Sequence, residues 1–211
     1  ATCGNGWAGS SNTGTSSIGQ DLSLLDDAVA TVGGQLTVAG DGAGSDVGVA
    51  GALTITGGGR LIGDTGVATG GAVSVLATGT LQGAANVASG GDLTVASGGS
   101  VTGPVDLASG ATGDLNGTVT GSLTNGGTLD LRGTVTGALL TEAGGDTQVD
   151  GALLTGSTVV NSGTMVVQDP ATLTLSGGNV LQTRDGATTT IAGTVTGSVT
   201  DQVNGAGFGT T

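Results

Sequence analysis

Residues 51–70, 71–90 and 91–110 are three consecutive copies of one 20-residue pattern, with no insertion between them. Gly51, Gly71 and Gly91 open the copies. Leu53/Ile55, Val73/Val75 and Leu93/Val95 follow at alternating positions, and Leu61, Leu81 and Val101 come next. Val67-Ala68, Val87-Ala88 and Leu107-Ala108 close them before Gly70, Gly90 and Gly110. A fixed period in this range marks a solenoid or propeller. The apolar positions are two apart, which is strand spacing. Each copy is short, punctuated by glycine and lacks a helical pattern, so it reads as one coil of a β-solenoid.

A single coil cannot bury its apolar side. Stacked coils can, because each strand pairs with its equivalent one coil away, about 4.8 Å along the axis. Inward positions then form ladders of Leu, Val and Ile, and outward positions form ladders of Thr, Ser, Asp and Ala. Glycine at corners, where φ > 0 is often needed, accounts for 47 glycines. A Gly-rich disordered linker would lack the β-branched alternation.

The repeat drifts outside the central block. Leu36-Thr37-Val38 and Val49-Ala50 fit the same columns in a shorter coil. Gly117-Thr118-Val119-Thr120-Gly121 recurs at 133–137 and 193–197. Roughly nine coils are expected from Gly33 to Gly205, a rod on the order of 40 Å long. The expected organisation is an N-terminal Gly/Ser/Thr-rich segment over 1–17, a cap helix over 18–33, a solenoid over 34–205 and a tail over 206–211. The helix expectation rests on Ile18, Leu22, Leu25, Val29 and Val32, which step by four, three, four and three. Ser17 and Gln20 suit a capping box, and Gly33-Gly34 would end the helix. The alternative is an irregular first coil, with Leu22, Leu24 and Asp26 as alternating strand residues.

The composition fits a narrow core: 36% hydrophobic residues, 1% aromatic, with one Trp, one Phe and no Tyr. Arg60, Arg132 and Arg184 are the only basic residues, and the net charge is −13. Phosphate neutralisation needs clustered Lys and Arg, so nucleic acid is excluded as a partner. Docking onto an anionic membrane fails for the same reason, and no apolar run approaches a membrane span. The chemistry inventory is equally thin. Without His, Lys or Tyr, and with Cys3 lacking a His partner, no enzyme activity is expected.

Gly42-Ala43-Gly44-Ser45-Asp46-Val47 partly matches a calcium-binding nonapeptide in a single copy. Asp41 and Asp46 are the candidate ligands of a weak calcium site, set against the plainer reading of a Gly-rich corner; no other cofactor is expected. Thr-x-Thr pairs at Thr54/Thr56, Thr118/Thr120, Thr134/Thr136, Thr172/Thr174, Thr188/Thr190 and Thr194/Thr196 suggest an outer hydroxyl face, of the kind that orders water in ice-binding solenoids. The plain alternative is that Thr is a good strand residue.

Uncapped solenoid ends expose strand edges and invite association. The expected contacts are Cys3, Trp7, Leu22 and Leu25 at one end, and Val203 and Phe208 at the other. The chain starts at Ala1 with no secretory h-region, which fits a mature secreted chain after signal-peptide removal.

The phrase Val87-Ala88-Ser89-Gly90-Gly91-Asp92-Leu93-Thr94-Val95-Ala96-Ser97-Gly98-Gly99-Ser100-Val101 resembles the repeats of AIDA-type self-associating autotransporter adhesins. Those repeats also alternate Gly-Gly corners with short Val/Thr strands. The resemblance covers about half the chain, best over Gly34–Gly110. It implies a right-handed parallel β-helix on a bacterial surface that adheres to its own kind. The Gly-x-Val-x-Gly rhythm resembles, more distantly, the bactofilins, β-helices that polymerise end to end. The expected function is a secreted structural subunit stacking end to end into an extracellular filament for attachment or biofilm matrix, its partner being itself. The alternative is a monomeric adhesin passenger or ice-binding solenoid acting through its outer Thr/Ser/Asp face, for which cell-surface glycans are a partner class.

Overall fold

The computed structural model describes residues 2–3, 10–40, 44–154, 158–175 and 180–201. They form one parallel β-solenoid with three faces. The first face is a sheet of 11 strands, and the second and third are sheets of 10 strands each. Every coil lays down one strand on each face in turn. All strand pairs are parallel and join equivalent positions one coil apart.

The central copies stack in register at their sequence period. Ala52 pairs with Ala72 and Ala72 with Asp92 on the second face; Arg60 pairs with Thr80 and Thr80 with Ser100 on the third; Thr65 pairs with Ala85 on the first. The alternation expected from sequence points inward as required. Leu53, Ile55, Leu61 and Val67 are all buried, as are Val73, Val75, Leu81 and Val87 one coil on. From Gln35–Val38 onward the third face carries nine strands, the number of coils read from the sequence over that stretch.

Glycine serves two separate purposes at the corners. Gly90 has φ of 73°, a turn conformation open to glycine. Gly71 has no such φ. A Cβ there would lie 2.1 Å from the carbonyl oxygen of Val49, so the approach of the previous coil excludes any side chain.

The expected cap helix over 18–33 is absent. That stretch holds the strands Thr15–Ile18, Leu22–Leu24 and Val29–Val32, which pair with the following coil. The stacked coil explains why. A ready strand edge at Val47–Val49 and Ala52–Ile55 satisfies the backbone of Leu22–Leu24 and Val29–Val32, and β-branched Val29, Thr31 and Val32 favour the extended state. Leu22 and Leu24 alternate into the core, whereas Leu25 and Val29, which a helix would have turned inward, are each 44% exposed. Asp26-Asp27 forms the intervening turn, Asp27 at φ 61°. The alternative of an irregular first coil describes the stretch, with Asp26 in the turn rather than the strand. Strands also occur upstream, at Thr2–Cys3 and Ser10–Asn12.

Candidate functional site

The outer surface of a solenoid is a set of columns, one residue per coil, so candidate sites appear where a column carries reactive or unusual groups. At the corner leading into the first face, Asp46 and Asp64 occupy equivalent places on successive coils. Asp46 Oδ1 accepts the N–H of Gly40 at 3.1 Å, and its Oδ2 accepts the N–H of Asp64 at 2.9 Å. Asp64 Oδ1 in turn accepts the N–H of Ala84 at 2.7 Å. These carboxylates tie one coil to the next through backbone donors. Asp41 lies outside the described residues. Among the described residues no group of three or more His, Cys, Asp or Glu side chains is arranged to hold a metal ion.

A second cluster lies between the second and third faces. Asp114 and Asp130 are direct ladder partners, so like charges sit on neighbouring coils. Arg132 answers them. Its guanidinium meets Asp130 at 2.5 Å, Asp150 at 3.0 Å and Asp114 at 3.4 Å. Burial pushes the Asp130 carboxyl above the ordinary carboxylate range; Arg132 opposes this, and the charges of Asp150 and Asp114 add to it. For Arg132, burial opposes the charged form, but the three carboxylates outweigh it and raise its pKa.

Beside this cluster the edge of the rod is notched. Along one ladder column Ile55 to Leu61, Val75 to Leu81 and Val95 to Val101 are each six positions, Leu115 to Val119 and Leu131 to Val135 are four, Val149 to Leu154 is five, and Val167 to Leu175 is eight. The three short corners cut inward between longer ones. The resulting groove, about 400 Å³, is lined by Asn116, Thr118, Arg132 and Thr134, with Ser97 and Thr172 at its ends. Its floor is backbone: a Cβ on Gly133 would fall 1.9 Å from the carbonyl oxygen of Gly117.

The first face carries a different depression, an apolar trough of about 540 Å³. Leu25, Ala50, Ala68, Ala88 and Ala108 edge it, and Gly48 and Gly66 leave its floor low.

The expected contact residues fall in different places. Leu22 is in the core and Leu25 is exposed beside the trough. Cys3 lies on the first described strand, its backbone paired with Leu24. Trp7, Val203 and Phe208 lie outside the described residues. Of the six Thr-x-Thr pairs, Thr118/Thr120, Thr134/Thr136, Thr172/Thr174 and Thr194/Thr196 fall on the third face, whereas Thr54 and the pair Thr188/Thr190 stand on second-face strands. Ser100 pairs with Thr118 and Thr118 with Thr134, and the backbone N–H groups of Thr120 and Thr136 reach back one coil to Val101 and Val119. Ser100/Thr102, Thr118/Thr120 and Thr134/Thr136 thus form two parallel columns over three coils.

One motif went unread in the sequence. In Asn12-Thr13-Gly14, Asn125-Gly126-Gly127 and Asn161-Ser162-Gly163, the Asn side chain accepts the N–H two residues on and donates to a carbonyl of the next coil. Asn125 and Asn161 are buried in a first-face column that is Val or Leu in the central block. Asn125 also donates to Thr147, and Asn161 to Thr189. The recurring Asn-x-Gly at these three corners is the signal that could have revealed it.

No family model matches this chain, and no curated protein matches it. A solved structure that does match is the crystal structure of a TibC-catalyzed hyper-glycosylated TibA fragment, residues 55–350. It is 20% identical over 94% of this chain and 96% of that one, with a TM-score of 0.40.

Proposed function

We propose that this chain is a structural rod, secreted or displayed on a cell surface, that associates with copies of itself end to end and carries out no chemistry. The observation behind this reading is how the apolar columns finish. Val167, Leu173 and Leu181 are buried, one on each face. Their partners on the last described coil, Ile191, Val195 and Val199, are partly open, with Val199 38% exposed. Among the described residues no element covers these columns. Among the described residues the strands Thr188–Ile191, Thr194–Thr196 and Ser198–Asp201 are the last in their sheets, and an open strand edge pairs readily with another chain. A second rod added there would continue all three sheets, and such a head-to-tail contact repeats into an open fibre. Trp7, Val203 and Phe208 remain the proposed flanking contacts.

The experiment is negative-stain electron microscopy of the purified chain, alone and with Val199→Asp. Uniform fibres of solenoid width, shortened by Val199→Asp and stable in high salt, are expected. Single short rods under all conditions would refute end-to-end assembly.

A second reading, a rod acting through its outer face, is favoured by the hydroxyl columns of the third face and by the notch beside Arg132. Fibres and face binding are read by separate assays.

A further inference from the structure

We propose that the notch between the second and third faces binds a neutral oligosaccharide. The proposal rests on the outer-face reading and is independent of end-to-end assembly.

The notch is a product of chain length at three successive corners, not of surface roughness. The corners after Leu115, Leu131 and Val149 span four, four and five positions, against six after Val95 and eight after Val167. The longer corners therefore stand as end walls, represented in the lining by Ser97 and Thr172. The volume of about 400 Å³ falls within the range of small-ligand sites, roughly 300–1,000 Å³, and suits one or two sugar rings.

The lining selects the ligand class. Thr118 and Thr134 bring one hydroxyl each from successive coils, and a hydroxyl both donates and accepts. Asn116 adds a carboxamide whose nitrogen donates to Asp114 at 2.6 Å, which leaves its oxygen oriented as an acceptor. A polyol, with donors and acceptors at every carbon, complements such a surface. An anion does not. Arg132 already answers three carboxylates, so with all groups ionised the cluster carries two net negative charges. Phosphate, sulfate and acidic sugars would meet that field within a chain of net charge −13. A nucleobase would want an aromatic stacking partner, and the groove lining has none. Without such a platform the affinity is weak, with Kd on the order of 1 mM per site.

The test is ligand-observed saturation-transfer NMR on the full chain with maltotetraose, chitotetraose and xylotetraose as neutral probes and sialyllactose as the acidic one. Three proteins are compared: wild type, the pair Thr118→Val/Thr134→Val, and Thr124→Val. Valine keeps the β-branched shape, and unchanged melting certifies the rod. Thr124 lies on the first face, outside the notch lining, and serves as the control. The proposal expects at least one neutral tetrasaccharide to bind wild type and Thr124→Val alike. It expects the pair to bind about tenfold more weakly or worse, and sialyllactose not to bind. Failure of all three neutral probes to bind wild type, equal binding by the pair, or a preference for sialyllactose would each overturn it. End-to-end assembly would be untouched by any of these results, since it is read from fibres.

Discussion

Asn125→Val is the substitution that best separates a packing role from a hydrogen-bonding one in this solenoid. The same column holds Val49, Val67 and Val87 in earlier coils, so shape and hydrophobicity favour the change. The carboxamide argues the other way. Its oxygen holds the N–H of Gly127 at 3.0 Å, and its nitrogen reaches the Asp146 carbonyl and the Thr147 hydroxyl, both at 2.9 Å. Thr147 keeps Thr141 as a partner at 2.8 Å after the change, and the Asp146 carbonyl loses one contact. Gly127 N–H is left as a buried donor without its acceptor, which costs about 1–3 kcal/mol. Thr141→Val is the matched comparison. It stands at the next position of the same column but opens a six-position corner to Thr147, and its side chain serves no backbone donor. Its loss should cost about 1 kcal/mol or less. Because a solenoid opens locally, the readout is amide hydrogen exchange at Gly127 rather than global melting alone. A cost of about 2 kcal/mol corresponds to roughly 30-fold faster exchange there. Equal costs for the two variants, or unchanged protection of Gly127, would refute the reasoning. The geometry that would produce this failure is visible at Gly51, whose N–H finds the carbonyl of Leu24 at 3.4 Å without any Asn.

Three further outcomes follow from other parts of the rod. Thr78 holds φ of 63° at a corner where Gly58 and Gly98 occupy the neighbouring coils; left-handed backbone costs an L-residue about 1–2 kcal/mol, so Thr78→Gly should raise the melting temperature slightly despite losing the bond from Gly58 N–H, and a clear fall would contradict this. Leu93→Ala removes a buried side chain stacked between Val73 and Gly113 and should cost about 2–5 kcal/mol in urea unfolding, the upper end if Gly113 leaves the void unfilled. Asp130 has a raised folded pKa, so the folded rod holds that proton more tightly than the unfolded chain; the resulting stabilisation is complete below the unfolded pKa and is lost as pH rises through the folded value. Asp130→Asn should therefore flatten the gain in melting temperature between about pH 7 and pH 4, and a steeper gain would reverse the sign of the argument.

The solenoid was legible because its period is carried by residues that do the same job in every coil. Leu53, Val73 and Leu93 share one place in the core, and a ladder has only one register that buries all three. The first coil was misread for a related reason. Ile18, Leu22, Leu25, Val29 and Val32 have helical spacing, but spacing says nothing about a waiting strand edge, and it was the edge at Val47–Val49 and Ala52–Ile55 that decided the outcome. The notch was illegible in a subtler way. Every residue in it was visible, including the Thr pairs, yet the groove comes from corners that are short relative to their neighbours, and relative length matters only once coils are aligned. Asn125 and Asn161 were passed over because a polar residue within an apolar alternation reads as a break. In the structure it is the piece that closes a shortened corner.

Those departures flank the regular block. The 20-residue period holds from Gly51 to Gly110, and the columns there repeat one residue type with little variation. Upstream, Asn12 closes a corner and Val32 to Leu36 spans only four positions. Downstream, between Asp114 and Asn161, come three shortened corners on one edge, two Asn-closed corners on another, and an arginine bound to three carboxylates. A regular stack needs none of this. Shortening a corner on the first-face edge brings buried Asn into a column that Val and Leu fill elsewhere, and buried polar groups cost stability unless bonded. If the rod served length alone, the central block would simply repeat. The stretch bonds its buried Asn and Thr side chains but leaves Asp130 Oδ1 and Asp146 Oδ1 buried without partners, and it opens a polar groove, which is the irregularity the proposed outer-face reading draws on. The notch and the hydroxyl columns beside it are therefore the part of the rod to probe for binding.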